Sequence, residues 1–192
     1  MSKPTLAALS VLGTLVVLVL IVLLVIFTGA YNVAASAGHA GITRWALTTL
    51  QESSVGARAS EVAGALPSDS ASLDHGFEHY HEMCVTCHGA PGVDRGEIGE
   101  GMTPTPPELD EEAEEWTDQE LFWILKHGIK LAGMPAFGAT HSDEEIWSIA
   151  AFVRELPNIS PEEYAHRVDL LDASQAESPG HTHPPGTREH EH

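Results

Sequence analysis

The sequence predicts an all-α protein, in which one N-terminal membrane-spanning helix precedes a small helical domain. Three observations carry this prediction. The run from Leu6 to Phe27 is uncharged, apolar and long enough for a membrane helix. The segments Thr117 to Glu120 and Ser142 to Glu145 are capping boxes, and apolar residues follow each of them at helical spacing. Phe77, Tyr80, His81 and Cys84 also share one helical face, which predicts a helix at the start of the domain.

Length and charge narrow the possible classes of protein. The chain has 192 residues, enough for one domain with appendages, and a formal net charge of −19. This charge argues against a nucleic-acid partner, because the phosphates would repel it. A strongly acidic protein can dock on a basic protein surface, or the charge can simply keep the protein soluble. We divide the chain into a membrane anchor (1–30), a partly helical connector (31–72), the domain (73–158), a short amphipathic helix (159–172) and a disordered, histidine-rich tail (173–192).

The N-terminal apolar run is better explained by a retained anchor than by a signal peptide. Its 22 residues would extend about 33 Å as a helix, whereas the apolar core of a signal peptide has about 7–15 residues. Removal at the small-residue segment Ala35-Ser36-Ala37 remains the alternative. Lys3 and the terminal amine are the positive charges before the run, and no Lys or Arg follows it until Arg44. The positive-inside rule therefore leaves the N-terminus in the cytoplasm and places the domain outside.

The segment Cys84-Val85-Thr86-Cys87-His88 is the motif with the most specific chemistry. A Cys-x-x-Cys-His run is a site of c-type haem attachment, in which both thiols add to porphyrin vinyl groups. The adjacent His88 would then be the proximal iron ligand. A dithiol redox pair or half of a zinc site are the alternatives. The first lacks the expected βαβ context, and the second lacks a further cysteine pair, because the chain has two cysteines.

Residues 73–158 resemble a class I c-type cytochrome of the membrane-anchored, bacterial, monohaem type. The resemblance depends on the order of four features: an aromatic-bearing helix, the Cys84–His88 motif, a Gly133-Met134-Pro135 loop and a terminal amphipathic helix. It implies one covalent haem c, and it implies that the first and last helices cross. Gly76 and Tyr80 would then meet Phe152 at that crossing.

The resemblance also implies the distal iron ligand. In this family it is usually a methionine thioether some tens of residues after the histidine, and Met134 lies 46 residues beyond His88. Met102, in a loop rich in glycine and proline, is the second candidate. Met83 adjoins Cys84 and is too close to reach the other face of the haem.

Histidines other than His88 raise a separate question of metal binding. His75 and His79 have the i, i+4 spacing that can hold a metal on a helix. No third ligand is evident from the sequence, so we interpret them as surface residues. A second group in the tail could bind copper, nickel or zinc loosely, and it comprises His181, His183, His190 and His192.

The predicted function is one-electron transfer, without catalysis and without a small-molecule substrate. An iron held by both His88 and Met134 has no open position for a substrate. The resemblance places the domain in the periplasm, on a single-pass anchor in the bacterial inner membrane, where redox proteins of the respiratory chain would be its partners. Lys126 and Lys130 precede the methionine loop and are expected to border a docking surface or to serve solubility. The alternatives are a subunit of a larger respiratory oxidoreductase, and a haem sensor or enzyme with an open distal site.

Overall fold

The computed structural model describes residues 2–177 and is helical throughout, which confirms the predicted all-α class. This part of the chain contains no β-strand, although single β-bridges join Ala90 to Val93 and Ile129 to Met134. The helices in chain order are α1 (Lys3–Thr28), α2 (Gly41–Ala59), α3 (Ser70–Met83), α4 (Val85–His88), α5 (Glu97–Glu100), α6 (Leu109–Glu112), α7 (Asp118–His127), α8 (Asp143–Glu155) and α9 (Pro161–Glu177).

Helix α1 lies in a unit of its own, made of residues up to 39. Its 26 residues include the whole predicted run from Leu6 to Phe27, and every one of them is exposed. The helix ends at Gly29, whose φ of 67° is the left-handed conformation that glycine favours at a helix C-terminus. By length and composition it can cross a membrane.

The core of the second unit, from residue 40 onward, forms where α3 crosses α8. A Cβ atom at Gly76 would overlap the carbonyl oxygen of Ser148 and lie 3.0 Å from Phe152 Cβ. The absence of a side chain therefore lets the two backbones approach closely. The rings of Phe77 and Tyr80 each lie 5.4 Å from the ring of Phe152, centroid to centroid. These contacts are those that the cytochrome resemblance implies for Gly76, Tyr80 and Phe152.

Two segments that we predicted to be appendages pack on this core. The connector contains the single helix α2, which buries Val55 and Ala59 and contacts α7. Helix α9 extends to Glu177, beyond its predicted end at residue 172. Its Tyr164 is completely buried, with its ring 5.6 Å from that of Phe77. Helix α3 begins at Ser70, before the predicted boundary at residue 73, because Asp69 caps it by accepting a hydrogen bond from Ser72 N. The tail beyond residue 177 lies outside the described residues.

Both predicted capping boxes are present and fix where α7 and α8 begin. Thr117 Oγ1 accepts a hydrogen bond from Glu120 N, and the Glu120 carboxylate accepts one from Thr117 N. Ser142 and Glu145 repeat this exchange at α8. Each box satisfies two amide donors that have no partner inside the helix.

Replacing Thr117 with alanine is expected to lower the free energy of unfolding by about 1 kcal/mol, because the cap is lost. Denaturant titration followed by circular dichroism measures this change. Thr49→Ala is the matched control, since Thr49 is exposed inside α2 and caps nothing. An equal loss of stability in both variants would contradict a capping role for Thr117.

Candidate functional site

The Cys84–His88 motif forms the turn at the C-terminal end of α3. Cys84 N donates to Tyr80 O (2.9 Å) as the last bond of that helix, and His88 N donates to Cys84 O (2.9 Å). Cys84 is therefore the N-cap of the short helix α4, and Cys87 and His88 lie within that helix. Cys84 is buried against the core, whereas Cys87 and His88 are half-buried. Both cysteines are free thiols, and burial raises the pKa of Cys84 to about 12, which keeps its thiol protonated near pH 7.

The His88 ring is oriented by a backbone carbonyl. Its Nδ1 lies 2.8 Å from Pro107 O. A carbonyl oxygen only accepts hydrogen bonds, so Nδ1 is the donor and Nε2 carries the free lone pair. Burial lowers the pKa of His88, with the hydrogen bond to Pro107 opposing this shift, so the ring is neutral near pH 7. A neutral imidazole fixed through Nδ1 is the arrangement that metal-ligating histidines need. Sequence patterns do not indicate Pro107 as the partner of His88, because the acceptor is a backbone atom.

Hydrogen bonds hold the loop that follows the motif against the motif itself. Tyr80 Oη donates to Gly89 O (2.7 Å), and Gly96 N donates to Thr86 O (3.0 Å). Gly99 lies against Cys87, where a Cβ atom would be 2.6 Å from Cys87 O. These contacts hold the predicted attachment turn in a fixed position relative to the loop.

A cleft of about 640 Å³ opens between this loop and His88. Its lining, within the described residues, comes from the segment 88–110 and includes Arg95 and Glu108, which form an ion pair of 2.5 Å. Arg95 also donates to Pro106 O (2.8 Å), next to the proline that orients His88. The cleft therefore adjoins the imidazole, while neither thiol nor Met134 lines it.

Met134 is half-buried and packs against the same hydrophobic core as Cys84. Its loop is shaped by glycines with positive φ, Gly128 at 64° and Gly133 at 78°. A Cβ atom at Gly128 would lie 2.6 Å from Met134 O, and Ile129 N donates to that oxygen (3.2 Å). Met102 reaches the same loop, because its Cε would be 2.6 Å from a Cβ at Gly133. The fold thus brings both predicted candidates for the distal ligand to one loop.

The two lysines near this loop differ in their surroundings. Lys126 Nζ lies 2.6 Å from Asp143 Oδ1 and 5.5 Å from the centre of the Phe122 ring. Lys130 is exposed. The ion pair reduces the positive charge that Lys126 can offer to a partner protein, which weakens its expected part in a docking surface. This pairing was not predicted from the sequence.

The domain that carries this site is small and all-α. Residues 71–153 match the family described as "Cytochrome C oxidase, cbb3-type, subunit III". The chain is also 31% identical, over 100 residues, to a quinohemoprotein alcohol dehydrogenase of Comamonas testosteroni. That alignment covers 52% of this chain and 13% of the length of the dehydrogenase. The domain belongs to the class I c-type cytochromes, which bind haem and transfer electrons.

Proposed function

We propose that the protein is a membrane-anchored monohaem cytochrome c that carries single electrons on the periplasmic face of a bacterial inner membrane. Cys84 and Cys87 hold one haem through thioether bonds, His88 is the proximal ligand and Met134 the distal one. The observation that carries the proposal is the His88 ring, which presents Nε2 as its free lone pair because Nδ1 donates to Pro107 O. It lies on the same helical turn as two free thiols.

The roles of the residues follow from their chemistry. The bound haem supplies a one-electron couple at its iron. His88 is neutral and oriented, so it donates a lone pair without first losing a proton. The thioether of Met134 is soft and neutral, which favours Fe(II) and raises the reduction potential. With both axial positions filled, the iron has no open position for a substrate, which favours electron transfer over catalysis.

The orientation in the membrane is inferred from α1 and its flanking charges. Helix α1 is uncharged from Leu6 to Phe27 and entirely exposed, which suits contact with lipid. Lys3 precedes this part, and the next Lys or Arg after it is Arg44. This asymmetry supports a cytoplasmic N-terminus and a periplasmic haem domain. Removal of the segment at Ala35-Ser36-Ala37 would instead give a free periplasmic carrier.

Redox proteins of the respiratory chain are the proposed partners, and Lys130 beside the methionine loop is the exposed cation that would border the contact surface. A second candidate role is that of a fixed subunit in a respiratory oxidoreductase, which the name of the matching family favours. Helices α2 and α9 pack on the haem domain itself, so their buried faces do not serve such an assembly. Blue-native electrophoresis of solubilised membranes separates the two roles, because a carrier migrates alone and a subunit with its complex.

Oxidised wild-type protein is expected to show the weak far-red absorption band of an Fe(III)–Met bond, and Met134→Ala is expected to abolish it. The thioether is the sulfur ligand in this proposal, and its loss opens the distal position. Met102→Ala is the matched control, since Met102 contacts the same loop. A band that persists in Met134→Ala and vanishes in Met102→Ala would assign the ligand to Met102. Absence of the band from the wild type, with CO binding, would indicate the open site of a sensor or enzyme.

A further inference from the structure

A cluster of imidazole and carboxylate groups lies across the α3–α8 crossing, apart from the predicted haem ligands. His75 and His79 project from α3, and Glu145 projects from the first turn of α8. One potential ligand atom of each residue lies within 4.8 Å of the other two. The third ligand that the i, i+4 histidine pair lacks in the sequence is thus supplied by a residue far along the chain.

His79 is the centre of this cluster and has an unsatisfied nitrogen. Its Nε2 is buried and has no hydrogen-bond partner among the residues that the structure describes. A buried polar atom without a partner costs free energy, so His79 Nε2 is a candidate ligand atom for an ion.

His141 brings a third imidazole to the cluster. Its ring centroid lies 5.0 Å from that of His79, and the His75 ring lies 4.5 Å from His79 on the same measure. Thr140 Oγ1 donates to Phe137 O (3.3 Å) and lies 2.9 Å from His141 Nδ1. When the hydroxyl proton is directed to Phe137 O, Nδ1 of His141 donates to Thr140 Oγ1 and Nε2 carries the free lone pair. In that tautomer His141 can bind a metal through Nε2.

Glu145 can serve the cluster without giving up its helix cap. The carboxylate oxygen that accepts from Ser142 N and Oγ is Oε2, which leaves Oε1 for a metal. The first turn of α8 contains three carboxylates, Asp143, Glu144 and Glu145. They offset the partial positive charge at the helix N-terminus, which would otherwise oppose a cation.

We propose that His75, His79 and Glu145 bind one divalent zinc-type ion, with His141 as the fourth ligand. Three imidazoles and one carboxylate suit Zn²⁺, which prefers four nitrogen, oxygen or sulfur ligands in a tetrahedron. Bonds of about 2.0–2.1 Å would place the ligand atoms roughly 3.3 Å apart, so the cluster closes by rotation of side chains such as the exposed His75. The ion would link α3 to α8 and stabilise their crossing. Helix α3 leads directly to Cys84.

Zinc titration of the full-length, haem-loaded protein tests this site. The four tail histidines at 181, 183, 190 and 192 are first replaced by asparagine, because they could bind zinc themselves. After treatment with EDTA, this variant is titrated with ZnCl₂ by calorimetry. We expect one Zn²⁺ per chain, and a rise of several degrees in the unfolding temperature when free Zn²⁺ exceeds the Kd a hundredfold.

Single substitutions in that background assign the ligands. His79→Ala is expected to weaken zinc binding at least roughly 100-fold, since loss of an outer-shell partner alone costs 10–100-fold. Glu145→Gln keeps a residue that supports the capping box and removes the charge. We therefore expect zinc binding to weaken strongly, with only a small decrease of the unfolding temperature in EDTA from the lost charge at the helix N-terminus. His166→Ala, an exposed histidine on α9, is the matched control and is expected to bind zinc like its parent.

Three results would contradict the site. The first is that no zinc binds once the tail histidines are replaced, and the second is that His79→Ala and Glu145→Gln leave zinc binding unchanged. The third is that His166→Ala weakens zinc binding as much as His79→Ala does. The haem spectrum recorded on the same samples keeps this test separate from the proposed electron transfer, because none of the four zinc ligands is a proposed haem ligand.

Discussion

Replacing both Cys84 and Cys87 with serine is expected to abolish covalently bound haem. Serine matches cysteine in size but forms no thioether with a vinyl group. The chain has no other cysteine that could substitute. Haem staining of a denaturing gel, or retention of colour through acidified acetone, measures the covalent fraction after periplasmic expression. We expect wild-type protein to keep its haem in both assays and the double variant to lose all of it.

The turn between the two cysteines offers a matched control for this experiment. Thr86 is exposed, and only its backbone carbonyl is bonded to the loop, by Gly96 N. Thr86→Ala leaves both thiols, His88 and that bond in place, so we expect full haem attachment. Circular dichroism of the double serine variant shows whether it still folds. Haem that stays covalently bound in the double variant, or is lost equally from Thr86→Ala, would contradict attachment through Cys84 and Cys87.

Gly76→Ala is expected to destabilise the haem domain by about 3 kcal/mol or more, the upper part of the range for overpacked cores. The added Cβ would overlap the Ser148 carbonyl oxygen and lie 2.7 Å from its carbon. Both atoms belong to the backbone of α8, so no side-chain rotation relieves the clash. Alanine favours a helix over glycine by about 1 kcal/mol, which is too little to compensate. Such a loss is a large part of the stability of an ordinary domain.

Denaturant titration of the haem-loaded protein measures this effect, and Gly56→Ala is its control. Gly56 is also inside a helix, α2, but its Cβ would meet only the Glu120 side chain, at 3.4 Å. Here the helix propensity of alanine should dominate, with a neutral or slightly stabilising result. If Gly76→Ala were as stable as Gly56→Ala, the close α3–α8 crossing would be wrong.

Local patterns in the sequence were sufficient to predict the helices that have clear start signals. The capping boxes at Thr117 and Ser142 place the starts of α7 and α8 correctly, because a cap is encoded by residues only three positions apart. The Cys84–His88 motif is equally local. The helix crossing at Gly76 came from the resemblance to class I cytochromes, since a glycine inside a helix alone indicates no particular partner.

The parts that sequence reasoning missed depend on contacts between distant segments. Pro107 orients His88 through a backbone carbonyl, which no side-chain pattern encodes. Glu145 was interpreted as a capping residue, and one of its carboxylate oxygens lies within 4.8 Å of ligand atoms of His75 and His79 only because α8 crosses α3. Helix α2 contains glycines and a weak apolar face, so its packing on α7 was not predicted. In each case the contact is set by the tertiary fold and not by a local pattern.

The burial of Tyr164 has a consequence for where this cytochrome ends. The match to the cytochrome family stops at residue 153, yet the Tyr164 hydroxyl lies 3.1 Å from His81 Nδ1 and its ring covers Phe77. A chain shortened after residue 153 would leave that aromatic surface in water, next to the helix that leads to the haem thiols. The shortest fragment expected to fold stably therefore includes α9, whose Tyr164 covers this part of the core.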